Sequence, residues 1–495
     1  SIEKAITLLE SDQLTVEELH ESCARRLDAT KILNAFVSRT SDISSRQAKA
    51  SQKRLSYAKK RLSALDGIPV AVKDNFCMDG VHTTCASRML LPYVPPYDAT
   101  MVAKLKSHGA VIMGKTNMDE FAMGCGSVDS VHGPVRNPWG YDFAAEDNDL
   151  WHIAGGSSGG SAVAVASGAA LAALGSDTGG STRNPASYTG IVGLKPTYGL
   201  LSRHGLVPLV NSMDVPGIMT RCVRDAVLMM NALAGHDVSD STTVPRLYEP
   251  FEIPTDVESV RDLHVGIPKE YHAPGTSADV LAAWRKIADA FEKAGAKVSQ
   301  VSMPHTSLSI VCYHVLSTCE IASNMARYDG IQYGHRSSDE SSTEQLYAAT
   351  RHEGFNDVVR GRILAGNYFL LKENYDTYFT QAQKIRRLIS GDFWHVFESG
   401  VDLLLTPTVL SDAPDYTFFS KADNRTRTQE QDVFTQPVNM AGVPAVTLPC
   451  GLSERQLPIG LQLIGQPFKE KTMLTAAKWV EQQCEFPQLQ LDFLD

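Results

Sequence analysis

The chain has 495 residues, 43% of them apolar and 21% charged, a balance that provides for a sizeable core and excludes a disordered, fibrous or low-complexity architecture. Its 46 lysines and arginines stand against 56 aspartates and glutamates, and the net charge of -10 opposes nucleic-acid binding through the chain's own field. The most apolar tract, Ala162 to Leu174, is too short to span a bilayer, and the nine cysteines include no CxxC pair, so free thiols in a reducing compartment are expected.

In chain order, residues 2–27 carry amphipathic helical periodicity with several acids, unlike a secretory or mitochondrial leader, and Thr15 with Glu18 predicts a capping box for a second helix. A strand is expected over residues 67–73, a helix over 99–107, and a strand over 110–114 after Gly109. A small-residue helix is expected over 161–174. The alternation resumes with a strand at 264–268, a helix at 277–294 and a strand at 297–303, then strands at 402–405, 445–448 and 460–463 and a closing helix at 469–484. Residues 235–259, 336–342 and 411–432 read as polar surface connections. This pattern is that of an α/β protein without internal repeats.

Two motifs mislead when taken alone. Residues 109–116 match a Walker A expression, but the variable positions are Ala110, Val111, Ile112 and Met113, which form a buried strand rather than a loop of exposed N–H groups. Residues 155–161, GGSSGGS, match GxSxG with Ser157 or Ser158 as nucleophile, yet a polar loop precedes them where a nucleophile elbow needs an apolar strand. A glycine-rich turn opening a helix explains that tract equally well.

A second glycine-serine turn, GSDTGGSTRNP over residues 175–185, places Ser181 24 residues beyond Ser157. With Lys73 in GIPVAVKDNF, these segments resemble the amidase signature family, and the resemblance runs on through GLKPTYG near Lys195, LLLTPT near Thr406 and PVNMAGVPAVTLP near Asn439. It implies a single large α/β domain over 1–495, with a large mixed central β-sheet covered by helices on both faces. The N-terminal helical segment would span about 1–65, the catalytic core about 66–235 and the C-terminal part about 260–495. Segments 114–124, 203–217, 323–336 and 355–367 are similar to the branch that supplies the glutaminase member of heterotrimeric tRNA-dependent amidotransferases, in wording closer to mitochondrial than to bacterial members. Ala154, where proline is common, and an acidic loop between Trp139 and Gly155 depart from the bacterial pattern.

The resemblance implies Lys73 as base, Ser157 in a cis peptide as proton relay and Ser181 as nucleophile, with N–H groups around Thr178, Gly179 and Gly180 as the oxyanion hole. Ser158 is expected to be a local hydrogen-bonding residue. Burial at a strand end would bring the lysine toward neutrality, so no histidine is needed. For glutamine, the resemblance implies Asp432 for the α-amino group, Arg362 for the α-carboxylate, with Arg360 as the alternative, and Tyr333 as a pocket wall. It further implies two other subunits, of B and C types, with charged tRNA met through the complex and no membrane. No cofactor or metal is expected in this chain, ATP and magnesium belonging to the partner subunit, and the implied compartment is the mitochondrial matrix.

Overall fold

A computed structural model describes residues 1–58, 60–144 and 150–491. Among the described residues are eleven strands: β1 (Phe36–Arg39), β2 (Pro69–Lys73), β3 (Val111–Thr116), β4 (Ala172–Asp177), β5 (Val192–Lys195), β6 (Val215–Thr220), β7 (His264–Pro268), β8 (Lys297–Val301), β9 (Leu403–Pro407), β10 (Ala445–Leu452) and β11 (Pro458–Gly465). All join one mixed sheet in the order β1-β3-β2-β4-β6-β5-β10-β11-β9-β7-β8. The strand pairs β2/β3, β2/β4, β7/β8 and β7/β9 are parallel, and the remaining neighbours are antiparallel. The fold is therefore α/β, with the parallel pairs joined by helical crossovers as their geometry requires.

The capping box is present: the Thr15 side chain accepts from the Glu18 amide, and Glu18 reaches back to the Thr15 amide. Ser277 caps the helix Ala278–Lys293 by accepting from the Val280 amide. Residues 111–116 are indeed strand, wholly buried, and Lys115 donates to Asp74 at 3.0 Å and Thr83 at 2.8 Å, so its ammonium is occupied by the fold.

One expected element divides in two. Instead of a helix over 161–174, the chain forms the helix Gly159–Ala166, turns, and enters β4 at Ala172. Alanine and valine suit a buried helix and a buried strand alike, and Gly168, at φ +80°, supplies the left-handed residue that ends the helix. Arg221 fixes the stop by donating to the last carbonyls, Val165 at 3.0 Å and Ala166 at 3.1 Å. The connection over 411–432 is also more than surface, since it contains the helices Tyr416–Phe419 and Asn424–Gln431 and ends on the buried Asp432. Among the described residues no helix is long and apolar enough to cross a membrane.

Candidate active site

Side chains alternate across a strand, and β2 uses this to separate two environments. Val70 and Val72 enter the large apolar core on one face, whereas Ala71 joins a smaller cluster with Ala162, Ala164, Val165 and Ala173 on the other. Lys73, two residues after Ala71, therefore faces the small-residue helix from the C-terminal end of its strand. Parallel pairing with Val72 opposite Leu174 makes the turn after β4 emerge beside it. Small residues are required at this face because the helix lies close enough to bring its N-terminal serines onto the strand end.

Lys73 is fully buried, and its Nζ donates to Ser157 Oγ at 2.8 Å, Ser158 Oγ at 2.8 Å and Ser176 Oγ at 2.9 Å. Burial lowers its pKa to about 7, opposed by the charges of Asp119, Asp177 and Asp214. A lysine so placed divides its time between ammonium and amine near neutrality and can exchange a proton with a hydroxyl it already touches.

The first turn carries a cis peptide between Gly156 and Ser157. Gly156 is required by contact: a Cβ there would lie 2.2 Å from Asp119 Oδ2 and 2.8 Å from the Cys125 carbonyl carbon. Asp119 in turn accepts from the amides of Ser127 at 2.9 Å, Val128 at 2.9 Å and Asp129 at 3.2 Å. Ser127 Oγ accepts from the Gly159 amide at 2.9 Å, tying this scaffold to the helix that follows the serines.

The second turn is locked to the first by the Ser158 amide, which donates to the Ser181 carbonyl at 3.1 Å. Asp177 accepts two bonds from the Arg183 guanidinium, at 2.9 and 3.0 Å, and Asn439 donates to the same carboxylate at 2.9 Å. Its pKa falls to about 2, because these partners and Lys195 outweigh a large burial penalty. Thr178 Oγ1 donates to Asp214 at 2.6 Å, holding the turn from the other side. Among the described residues the amides of Gly179, Gly180 and Ser181 donate to no protein acceptor, so three adjacent N–H groups remain for an incoming oxygen.

Beside this turn lies a cavity of about 380 Å³ bordered by Tyr313, His314, Arg362, Asn424, Thr428 and Gln436. Asp432 is buried behind it, accepting from Asn184 and from Gln436 Nε2 at 3.4 Å. Burial pushes its pKa up to about 7, with Asp177 reinforcing the rise and Arg362 opposing it. Among the described residues the buried amide oxygens of Asn184, Gln431 and Gln436 have no hydrogen-bond partner. A carboxyl group among three unoccupied acceptors has the chemistry of a site for a small cation.

A model of the family described as amidase matches residues 17–474. The chain belongs to the amidase signature family. Within that family it is 59% identical over 503 residues to the A-type subunit of mitochondrial glutamyl-tRNA(Gln) amidotransferase from Xenopus laevis, covering 99% of this chain and 96% of that protein. The mitochondrial protein of the same name from Homo sapiens is 57% identical over 507 residues, covering 100% and 96%. Among solved family structures, the A-type subunit of glutamyl-tRNA(Gln) amidotransferase from Thermotoga maritima superposes with a TM-score of 0.76 at 35% identity, covering 97% of this chain and 98% of its own.

The structure brings Lys73 and Ser157 into contact and places Ser181 on the adjoining turn beside Thr178, Gly179 and Gly180. Ser158 bonds Lys73 and also donates to the Ser176 carbonyl at 3.2 Å. Of the two arginines, Arg362 faces the Asp432 cavity, whereas Arg360 binds the carbonyls of His352 and Phe355 and borders a separate polar cavity. Tyr333 lies elsewhere, packed against Tyr93 and Tyr328 in another cavity, while Tyr313 borders the cavity that Arg362 faces, its ring so close over Gly179 that a Cβ there would lie 2.9 Å from it. The sequence marks neither Tyr313 nor Ser176, because a tyrosine on a helix and a serine beside a glycine are common in any core. Of the acidic loop, Glu146, Asp147 and Asp149 lie outside the described residues.

Proposed function

We propose that this chain is the glutaminase member of a tRNA-dependent amidotransferase, releasing ammonia from glutamine for the conversion of Glu-tRNA(Gln) to Gln-tRNA(Gln). The observation that carries the reading is the fully buried Lys73 donating to the Ser157 hydroxyl beside the Ser181 turn. In its amine form Lys73 takes the Ser157 proton while Ser157 takes that of Ser181, and the Ser181 oxygen attacks the side-chain carbonyl carbon of glutamine. The oxyanion is received by the unoccupied N–H groups of the turn of Thr178, Gly179, Gly180 and Ser181. The protons return along the same path to the departing nitrogen, leaving a glutamyl ester on Ser181 and free ammonia; water then cleaves the ester to glutamate.

Arg362 holds the α-carboxylate and Asp432 the α-ammonium, the latter supported by the three unoccupied amide oxygens around it. The chain itself needs no cofactor. ATP and magnesium act in a partner of B type, a C-type partner completes the complex, and charged tRNA is met through that assembly. The names of the relatives from Xenopus laevis and Homo sapiens support the mitochondrial matrix as the compartment. A glutamine analogue with an electrophile in place of the side-chain amide should add once, at Ser181, by mass spectrometry of digested protein. An adduct at Ser158, or none under conditions in which glutamine is hydrolysed, would overturn the reading.

A further inference from the structure

We infer that Asn424 is the positioning residue for the Arg362 guanidinium and keeps its charge available to an incoming carboxylate; this rests on the glutaminase reading. Arg362 Nη2 donates to Asn424 Oδ1 at 2.9 Å. Asn424 Nδ2 donates to Asp129 Oδ2 at 2.6 Å and to the Met123 carbonyl at 3.3 Å. A backbone carbonyl only accepts and a guanidinium only donates, so the Asn424 amide has one orientation, whatever the protonation of Asp129. Among the described residues no carboxylate pairs directly with Arg362.

The arrangement separates holding from neutralising. Asp129 stands one amide behind the guanidinium and is tied by its own backbone to the serine scaffold, its amide donating to Asp119 at 3.2 Å and its carbonyl accepting from Glu120 at 2.7 Å. The neutral amide transmits that fixed position to Arg362 while leaving the positive charge without a contacting counterion. A carboxylate in place of the amide would occupy the guanidinium and compete with the substrate; a methyl group would leave it unheld.

The test compares kcat/KM for glutamine with that for glutaminol, which bears the same side-chain amide but no α-carboxylate, in the full-length chain carrying N424D or N424A. Their ratio within one preparation is independent of the fraction of active protein, so partial misfolding cancels. Both variants should lower it about tenfold to a hundredfold, the loss lying in KM for glutamine with kcat at saturation little changed. D129N, which can still accept from Asn424 through its amide oxygen, should keep a ratio close to that of the unaltered chain. R362A separates the two levels of the reading: if it too leaves the ratio unchanged, the assignment of Arg362 to the carboxylate fails, and this inference with it. If R362A collapses the ratio while N424D and N424A preserve it, the positioning role alone is overturned.

Discussion

Lys73 Nζ lies 2.8 Å from Ser157 Oγ, and neither side chain meets solvent. That pairing makes the reaction depend on deprotonation of a buried amine whose pKa has fallen to about 7. At saturating glutamine, kcat should rise with pH through about 7 and be about a hundredfold below its plateau two pH units lower. Lys73→Arg should be nearly as inactive as Lys73→Ala, because a guanidinium cannot give up its proton in this range. The folded chain has lost a proton that the unfolded chain keeps from about 7 up to the ordinary lysine range, so this residue's contribution to stability rises with pH across that window. Thermal unfolding of Lys73→Met against pH should lack that component; an activity profile flat between about pH 5 and 9 would contradict the lysine base.

Asp432 titrates in the opposite sense for stability. Its folded pKa, raised to about 7, means that the folded chain holds a proton the unfolded chain has released. Stability therefore falls as pH rises from the ordinary carboxyl range through about 7, and Asp432→Asn should be more stable than the unaltered chain at about pH 8 by an amount on the order of a few kcal/mol. The same variant should raise KM for glutamine strongly, since a neutral amide replaces the counterion of the α-ammonium. Melting temperatures and KM measured on one preparation check both halves; a variant less stable at that pH with unchanged KM would mean that Asp432 serves the fold.

Gly156→Ala tests the contact with Asp119. A Cβ 2.2 Å from a carboxylate oxygen and 2.8 Å from backbone cannot be accommodated by side-chain rotation. The turn must move, at a cost of about 1–3 kcal/mol, and Ser157 moves with it. Activity should fall at least as steeply as for Ser157→Ala, with a lower melting temperature. A fully active, fully stable variant would show that the turn is more pliant than its packing implies.

With a net charge of -10, the isolated chain should bind tRNA weakly at moderate salt, and its glutaminase rate should increase when the partner subunits and acceptor tRNA are added. Tight tRNA binding by this chain alone, or a rate indifferent to the partners, would favour a free-standing amidase acting on another small amide.

Much of this architecture is legible in the sequence where one rule dominates locally. Thr15 and Glu18 announce a helix start through capping alone, and β7 and β11 stand out as apolar runs between polar ones. Where two rules agree on composition but differ on conformation, the chain is ambiguous: Ala162 to Leu174 reads as one helix because alanine and valine suit helix and strand alike, and the one local stop signal, Gly168, is decided by tertiary packing of Arg221 on the last carbonyls. Ser157 and Ser181 are legible because glycine turns punctuate them, and Lys73 because it closes an apolar strand in a segment that matches the same family pattern. Tyr313 is not, because a wall is defined by what lies opposite it, and its neighbour Gly179 is more than a hundred residues away in sequence. Asp432 falls at the end of a polar stretch whose composition says surface, while the fold buries it.

The helix Gly159–Ala166 and the strand Ala172–Asp177 are the regular elements that separate the two serine turns. Both have fixed periods, so the segment tolerates changes of residue type far better than changes of number. One residue lost from the helix turns its first serines by about 100° around the axis, and one lost from the strand turns every later side chain to the opposite face. Substitutions between small residues here should thus be survivable, while single-residue deletions within the helix or within the strand should abolish activity. In a deletion scan these two elements would stand out as blocks, set by the ruler-like spacing of the two turns rather than by the chemistry of any residue within them.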